Sequence, residues 1–255
     1  MAKIISTANQ KGGVGKTTTA VNLAACVADA GKKVLLIDLD PQGNATSGLG
    51  VSVKGGYDLY SVMTGQCEAS RAVRVTRYKN LSVLPSSVDL SGCEIELVDQ
   101  ENRESVLKRA VEPLRGSYDY IFIDSPPSLG LLTLNGLTAA DSVLVPIQCE
   151  YYALEGVGQL MNTLSLVRKR LNPKLEVEGV VLTMLDGRTN LGLQVVSEVK
   201  KYFKGKVFST VVPRNVRLSE APSHGLPIHL YDANCTGADA YRKLASELIN
   251  RNEGN

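Results

Sequence analysis

"NQKGGVGKTTTA", residues 9–20, decides the fold. The usual phosphate-binding loop reads glycine, four residues, then Gly-Lys-Ser/Thr. Gly15, Lys16 and Thr17 satisfy its second half, but Gln10 stands where the first glycine belongs, and Lys11 adds a second lysine. Gly12, Gly13 and Gly15 let the backbone curl around Val14 so that successive N–H groups face an anion, backed by the N-terminus of the next helix. Lys16 then reaches terminal phosphates as a point charge, and the Thr17 hydroxyl ligates Mg²⁺. A glycine-rich turn that binds nothing is the bland alternative, yet packing alone does not call for Gly-Lys-Thr-Thr at a strand-to-helix junction.

The surrounding pattern provides that junction. Short apolar runs read as strands over 3–8, 33–40, 81–86, 120–126, 142–148, 179–185 and 206–213. Several are apolar nearly throughout, as strands covered on both faces must be. Helical patterns fall between them, over 16–30, 102–115, 130–140, 152–171, 191–203 and 236–250. The alternation predicts an α/β fold, a doubly wound and mostly parallel sheet with helices on both faces. Residues 45–80 read as loops and short helices. With no internal repeat and no long linker, residues 1–255 are expected to form one domain built on the phosphate-binding (P-loop) motif. Ligands of such sheets bind beyond the carboxyl ends of the strands.

Composition narrows the function classes. The chain has 255 residues, 44% hydrophobic and 21% charged, with 28 Lys+Arg against 26 Asp+Glu. A net charge of +2 neither demands nor excludes a polyanion, so any nucleic-acid site must be a local patch. Five isolated cysteines and two histidines argue against a zinc site and for a reducing compartment. Without a signal-peptide run or a long apolar span, a cytosolic protein is expected.

A nucleotide site also needs carboxylates. "VLLIDLDPQGN" ends in Asp38 and Asp40, two apart and therefore expected on one side of the strand. "YDYIFIDSPP" places Asp124 at the end of a buried strand, where P-loop NTPases keep a Mg²⁺-supporting aspartate. Taken singly, such an aspartate is more often a turn or cap residue.

In combination, "KGGVGKTT", "DLDPQGNAT", "FIDSPPSLGLLTLN" and "VPRNVRLSEAPSHG" resemble the ParA family of DNA-partitioning ATPases, in particular its short chromosomal Soj-type members. The similarity runs from about residue 3 to 245. The wider class includes MinD and the nitrogenase iron protein, and its deviant Walker A loop carries a signature lysine, here Lys11. The resemblance implies a homodimer closed face to face over two ATP molecules, with Lys11 crossing to the partner's phosphates as a finger in trans. Gly12 would then lie where the two loops meet. The resemblance further implies that Lys11, Lys16 and Asp40 are catalytic, Asp40 orienting the attacking water. Residues 11–18, including Thr18 at the α-phosphate, would bind the nucleotide. Thr17, Asp38 and Asp124 would serve Mg²⁺, and Met184, Pro213, Arg214 and Asn215 the adenine.

The family's ATP-bound dimer binds DNA nonspecifically and is stimulated by a ParB-type protein, which makes Arg188 and Arg217 the DNA candidates and the nucleoid the expected location. The lysines at 200, 201, 204 and 206 read equally well as a solvated face. The principal rival is a MinD-like membrane-associated switch, which needs an amphipathic terminal helix with a basic face. Here Tyr241, Leu244, Ala245, Leu248 and Ile249 share a helical stripe, but Asp239, Glu247 and Glu253 accompany them, which favours packing on the sheet and no membrane partner. An iron–sulfur reductase would require two cysteines in glycine-containing loops, and a tyrosine-kinase relative a tyrosine cluster near the end of the chain. Neither pattern is present.

Overall fold

The computed structural model describes residues 1–150, 153–185 and 190–254. Its strands are β1 (Lys3–Thr7), β2 (Val34–Asp38), β3 (Arg74–Val75), β4 (Leu81–Leu84), β5 (Tyr120–Asp124), β6 (Ser142–Gln148), β7 (Glu176–Leu185) and β8 (Val207–Pro213). They form one sheet in the order β3-β4-β2-β5-β1-β6-β7-β8. All neighbours run parallel except β3, which pairs antiparallel to β4 at one edge.

The fully apolar strands follow from cover on both faces. Ile4, Ile37, Ile121, Ile123 and Val145 point into a core shared with helices Leu131–Ala139 and Ala153–Arg170. The alternate residues Ile5, Leu36, Phe122, Leu144 and Val181 point into a second core under helix α1 (Lys16–Asp29) and helix Thr236–Glu253. Period-two alternation therefore serves two interiors rather than one interior and water. Phe122 is fully buried, and truncating it to alanine would cost about 3–5 kcal/mol.

The expected strands all appear, with β6 at its expected bounds and β7 starting three residues earlier, at Glu176. The two-residue β3 was missed, being too short to show a period. The pattern expected over 102–115 is a short α-helix, Val106–Val111, with 3₁₀ turns on either side, because Pro113 cannot continue the helical bonds. Residues 45–80 contain short helices Asn44–Gly48, Leu59–Met63 and Ala69–Ala72, as expected of that irregular stretch. Tyr241, Leu244, Ala245 and Leu248 are buried against the sheet, so the apolar stripe of helix Thr236–Glu253 is consumed in packing. Among the described residues, no helix is long and apolar enough to cross a membrane.

Candidate functional site

Strand register builds the floor of the site. Thr7 lies beside Asp124, and Asp124 beside Asp38, across β1, β5 and β2. Each continues the residue parity that faces α1, so three polar side chains form a row at the carboxyl ends, under the start of that helix. The row is out of water: all three residues are 0% exposed. Neither carboxylate oxygen of Asp124 makes a geometrically well-formed hydrogen bond among the described residues, although the Thr17 hydroxyl lies near enough to stabilise its anion, and the Thr7 hydroxyl has no partner among them either. Burial pushes the Asp124 carboxyl well above the usual range, and the charges of Asp38 and Asp40 add to the rise; the nearby Thr17 hydroxyl and Lys16 offset part of it. Burial also raises Asp38, to about 6, against hydrogen bonds from Thr46.

The phosphate loop closes over this row. Gly13 and Gly15 have φ of 75° and 84°, left-handed values that a side chain would strain. Gly15 thereby turns the chain into α1 directly at Lys16. Lys16 is almost fully buried and donates from Nζ to the carbonyl of Lys11 at 3.1 Å. Desolvation lowers its pKa, opposed by the charges of Asp124 and Asp40. Asn9 braces the loop from behind, donating to the Pro146 carbonyl at 2.7 Å and accepting the Lys11 N–H at 3.0 Å. The Thr183 hydroxyl donates to the Val14 carbonyl at 2.9 Å, tying β7 to the same loop. Gln10, in the place of the usual glycine, reaches Thr163 of the following layer at 3.4 Å.

Lys11 points elsewhere. Its Nζ lies 3.9 Å from Glu150, which also meets Arg214 at 3.5 Å. Among the described residues, a Cβ added to Gly12 would have nothing within 4 Å, so no described neighbour requires glycine there. Thr18 is half-buried on the first turn of α1.

Asp40 stands outside β2, which ends at Asp38, because Pro41 follows and a turn closes from the Gly43 N–H to the Asp40 carbonyl at 2.9 Å. Its Oδ1 accepts the Gln42 N–H at 3.0 Å. The two aspartates therefore share the site without sharing a strand face, a correction to the expected extended pairing.

The candidates for the base assemble beside the loop. Met184 has a left-handed φ of 53°, and its Cε lies 3.8 Å from where Gly15 would carry a Cβ. Its neighbour Leu185 pairs with Pro213 at the end of β8. Asn215 caps helix Val216–Glu220 by accepting the Arg217 N–H at 2.8 Å, and donates to the Thr236 hydroxyl at 2.9 Å. Of the two DNA candidates the structure describes one. Arg188 lies outside the described residues. Arg217 is exposed and ion-paired with Glu220 at 2.8 Å and Asp232 at 3.5 Å.

The donor set suits a hard cation that keeps water and phosphate as ligands. Among the described residues no cluster of three acidic, histidine or cysteine side chains could hold a metal unaided. The two orphaned oxygens of buried Asp124, with Thr17 and Asp38 beside them, fit the outer support of Mg²⁺. Sequence reasoning missed Asn9, Thr46, Glu150 and Thr183, each of which has a partner far away in sequence: Pro146, Ser86, Lys11 and Val14 respectively.

Comparison with known proteins agrees with this arrangement. A family model described as an AAA domain matches residues 2–177. The sporulation initiation inhibitor protein Soj of Bacillus subtilis is 60% identical over 97% of this chain and 98% of its own length. The chain belongs to the ParA/Soj family of partitioning ATPases. Another relative in that family, the chromosome partitioning protein ParA of Myxococcus xanthus, is 54% identical over 98% of this chain and 89% of its own. The same P-loop fold recurs in cobyrinic acid a,c-diamide synthase of Mycobacterium smegmatis, solved with bound ADP and magnesium. That structure has a TM-score of 0.86 and 39% identity, and covers 100% of this chain and 97% of its own.

Proposed function

We propose that this ParA/Soj chain is a Mg²⁺-dependent ATPase, a single domain that works as a chromosome or plasmid partitioning switch in the cytoplasm, associated with the nucleoid. The observation that carries the reading is the buried, unpartnered Asp124 carboxylate beneath a glycine-rich loop whose Lys16 is held at 3.1 Å from the loop's own backbone. A carboxylate left unpaired in a dry interior is costly unless a cation comes to it. The full-length similarity to the Soj and ParA relatives supports partitioning, and the neighbour's bound ADP and magnesium support the ligand.

Lys11, Gly12, Gly13, Val14, Gly15, Lys16, Thr17 and Thr18 would cradle the triphosphate. Thr17, with Asp38 and Asp124 behind it, would hold Mg²⁺, which supplies charge neutralisation on the phosphates. Asp40, on a turn rather than a strand, would orient the attacking water. Met184, Pro213, Arg214 and Asn215 would border the base. Lys11 extends toward Glu150 rather than over Asp124, a direction that supports a role across an ATP-closed homodimer. Such a dimer would bind DNA nonspecifically through Arg188 and Arg217 and hydrolyse ATP when a ParB-type partner engages it.

The membrane-associated alternative is disfavoured by the buried stripe of helix Thr236–Glu253. Size exclusion with light scattering tests the switch: monomer with ADP, and dimer with ATP when Asp40→Ala blocks turnover. A monomer in both states would overturn it, and ATP-dependent liposome flotation would favour the alternative.

A further inference from the structure

Asp38 offers only one oxygen to the site. Its Oδ2 accepts two donors from a single residue, the N–H and the hydroxyl of Thr46, both at 2.7 Å. Its Oδ1 has only the Asp40 N–H, at a long 3.3 Å. Thr46 is itself fixed, because its hydroxyl oxygen accepts the Ser86 N–H from the end of β4 at 3.0 Å. The hydroxyl thus has one defined direction in which to donate, and it donates to Asp38. Two short bonds to Oδ2 set the carboxylate's rotation and leave Oδ1 as the free face.

Thr46 sits on helix Asn44–Gly48, which is bracketed by two left-handed glycines, Gly43 with φ 65° and Gly50 with φ 68°. A five-residue helix between two such points can shift as a unit, since glycine absorbs backbone rotation at little steric cost. Its far end abuts the turn that follows Arg217. A Cβ on Gly225 would fall 2.7 Å from Gly50 Cα and 3.5 Å from the Ser47 carbonyl oxygen, so backbone meets backbone there. Arg77 and Tyr78 clamp the same place, donating to the Gly225 carbonyl at 2.9 Å and 2.5 Å. Residues 216–225 are two short helices in direct succession, Val216–Glu220 and Ala221–His224, so movement at Gly225 reaches Arg217 through few soft dihedrals.

We propose that Thr46 is the positioning residue of the metal site, and that helix Asn44–Gly48 carries the occupancy of that site to the turn bearing Arg217. The inference rests on Asp38 supporting a Mg²⁺–nucleotide. Oδ1 would be the oxygen that supports a hydrated cation, and any displacement of the carboxylate would be shared by Thr46, because two bonds tie Thr46 to Oδ2. Gly50 packs backbone to backbone on Gly225, so a shift of the helix would be felt at that turn. Arg217 is ion-paired with Glu220 and Asp232. A shift of the turn changes that pairing and with it the charge offered to a polyanion.

The test compares Thr46→Val, which keeps the branched shape without the hydroxyl, with Thr46→Ser, which keeps the hydroxyl. Binding of a fluorescent ADP analogue is titrated with Mg²⁺ and with EDTA, and amide exchange over 216–226 is followed with and without Mg²⁺–ADP. Removing an outer-sphere partner costs roughly ten- to hundredfold in metal affinity. Thr46→Val should lose about that factor in Mg²⁺-dependent affinity, keep the EDTA affinity within about twofold, and lose the exchange response at 216–226; Thr46→Ser should restore both. Equal losses with Mg²⁺ and EDTA, or failure of serine to rescue, would overturn the positioning role. A full exchange response in Thr46→Val would overturn the transmission. Wild-type protein whose ADP affinity ignores Mg²⁺ would instead overturn the nucleotide reading beneath it. Thr46→Ala, which removes the hydroxyl without bulk against Ser86, gives the same comparison if the valine variant does not fold.

Discussion

Lys16 holds the backbone of Lys11, Nζ to carbonyl at 3.1 Å, while the side chain of Lys11 extends away toward Glu150. The two lysines of one loop are thus directed to different places, one inward over Asp124 and one outward. Their substitutions should separate. Lys16→Ala should weaken nucleotide binding by about tenfold or more, the worth of a charge-assisted hydrogen bond of ~1.5–3 kcal/mol. Lys11→Ala should leave binding to the monomer within about threefold and abolish the ATP-dependent dimer. Fluorescent-nucleotide titration and light scattering read the two effects independently.

Gly12 is exposed, and a Cβ there would have none of the described residues within 4 Å. Gly12→Val should therefore shift Tm by less than about 2 °C, since an exposed substitution usually changes stability by within ~0.5 kcal/mol. The same variant should block dimerisation. A large Tm loss with the dimer preserved would show that the glycine serves the monomer.

Asp40 is nearly buried at 8% exposure, on a turn that its own carbonyl closes. Asp40→Ala should lower turnover by roughly a hundredfold or more, the contribution typical of a positioned proton-handling group, without weakening ATP binding. A steady-state phosphate assay would show it, and unchanged turnover would remove Asp40 from the mechanism.

Arg217 already spends its charge on Glu220 and Asp232. If it serves DNA, Arg217→Glu should abolish retention on nonspecific duplex at 100 mM salt while the ATP dimer persists in light scattering. Glu220→Gln should do the reverse and strengthen retention about twofold by removing the closer of the two carboxylates that pair with Arg217, because exposed pairs are worth only ~0.2–1 kcal/mol.

Glu247 gathers hydrogen bonds from the N–H and hydroxyl groups of Ser209 and Thr210, at 2.8–3.0 Å, capping N–H groups of the edge strand β8. Burial would raise its carboxyl, but these bonds prevail and hold it down at about 2. A folded-state pKa below the unfolded one contributes stability that is present above about pH 4.5 and is lost as pH falls toward 2. Asp38, raised to about 6, acts in the opposite sense, favouring the fold as pH drops below that value. The two are distinguished by difference: Glu247→Gln should be less stable than wild type at pH 6 in urea, with the gap closing toward pH 3. A gap independent of pH would refute the ionic contribution.

The chain's order of strands and helices was legible because each strand is buried on both faces. A doubly covered strand must be apolar throughout, and a helix lying on a sheet must show its stripe. The loop was legible for a comparable reason: Gly13 and Gly15 take left-handed dihedrals, and Lys16, the first residue of α1, directly follows Gly15 to place a cation over the strand ends. These are local requirements, written into adjacent residues. What three-dimensional packing decided was partnership. The row Thr7, Asp124, Asp38 exists only because β5 inserts between β1 and β2, an order that no neighbouring residues encode. Asp40 left the strand face because the turn to Gly43 outcompeted extension past Pro41. Thr46 met Asp38, and Gly225 met Gly50, 175 positions away in sequence, through contacts whose energy is gained only once the sheet has formed. Local sequence set which groups could bind a phosphate. Long-range packing set which of them stand unpaired in the dry interior, and an unpaired buried carboxylate is what makes the site want a cation.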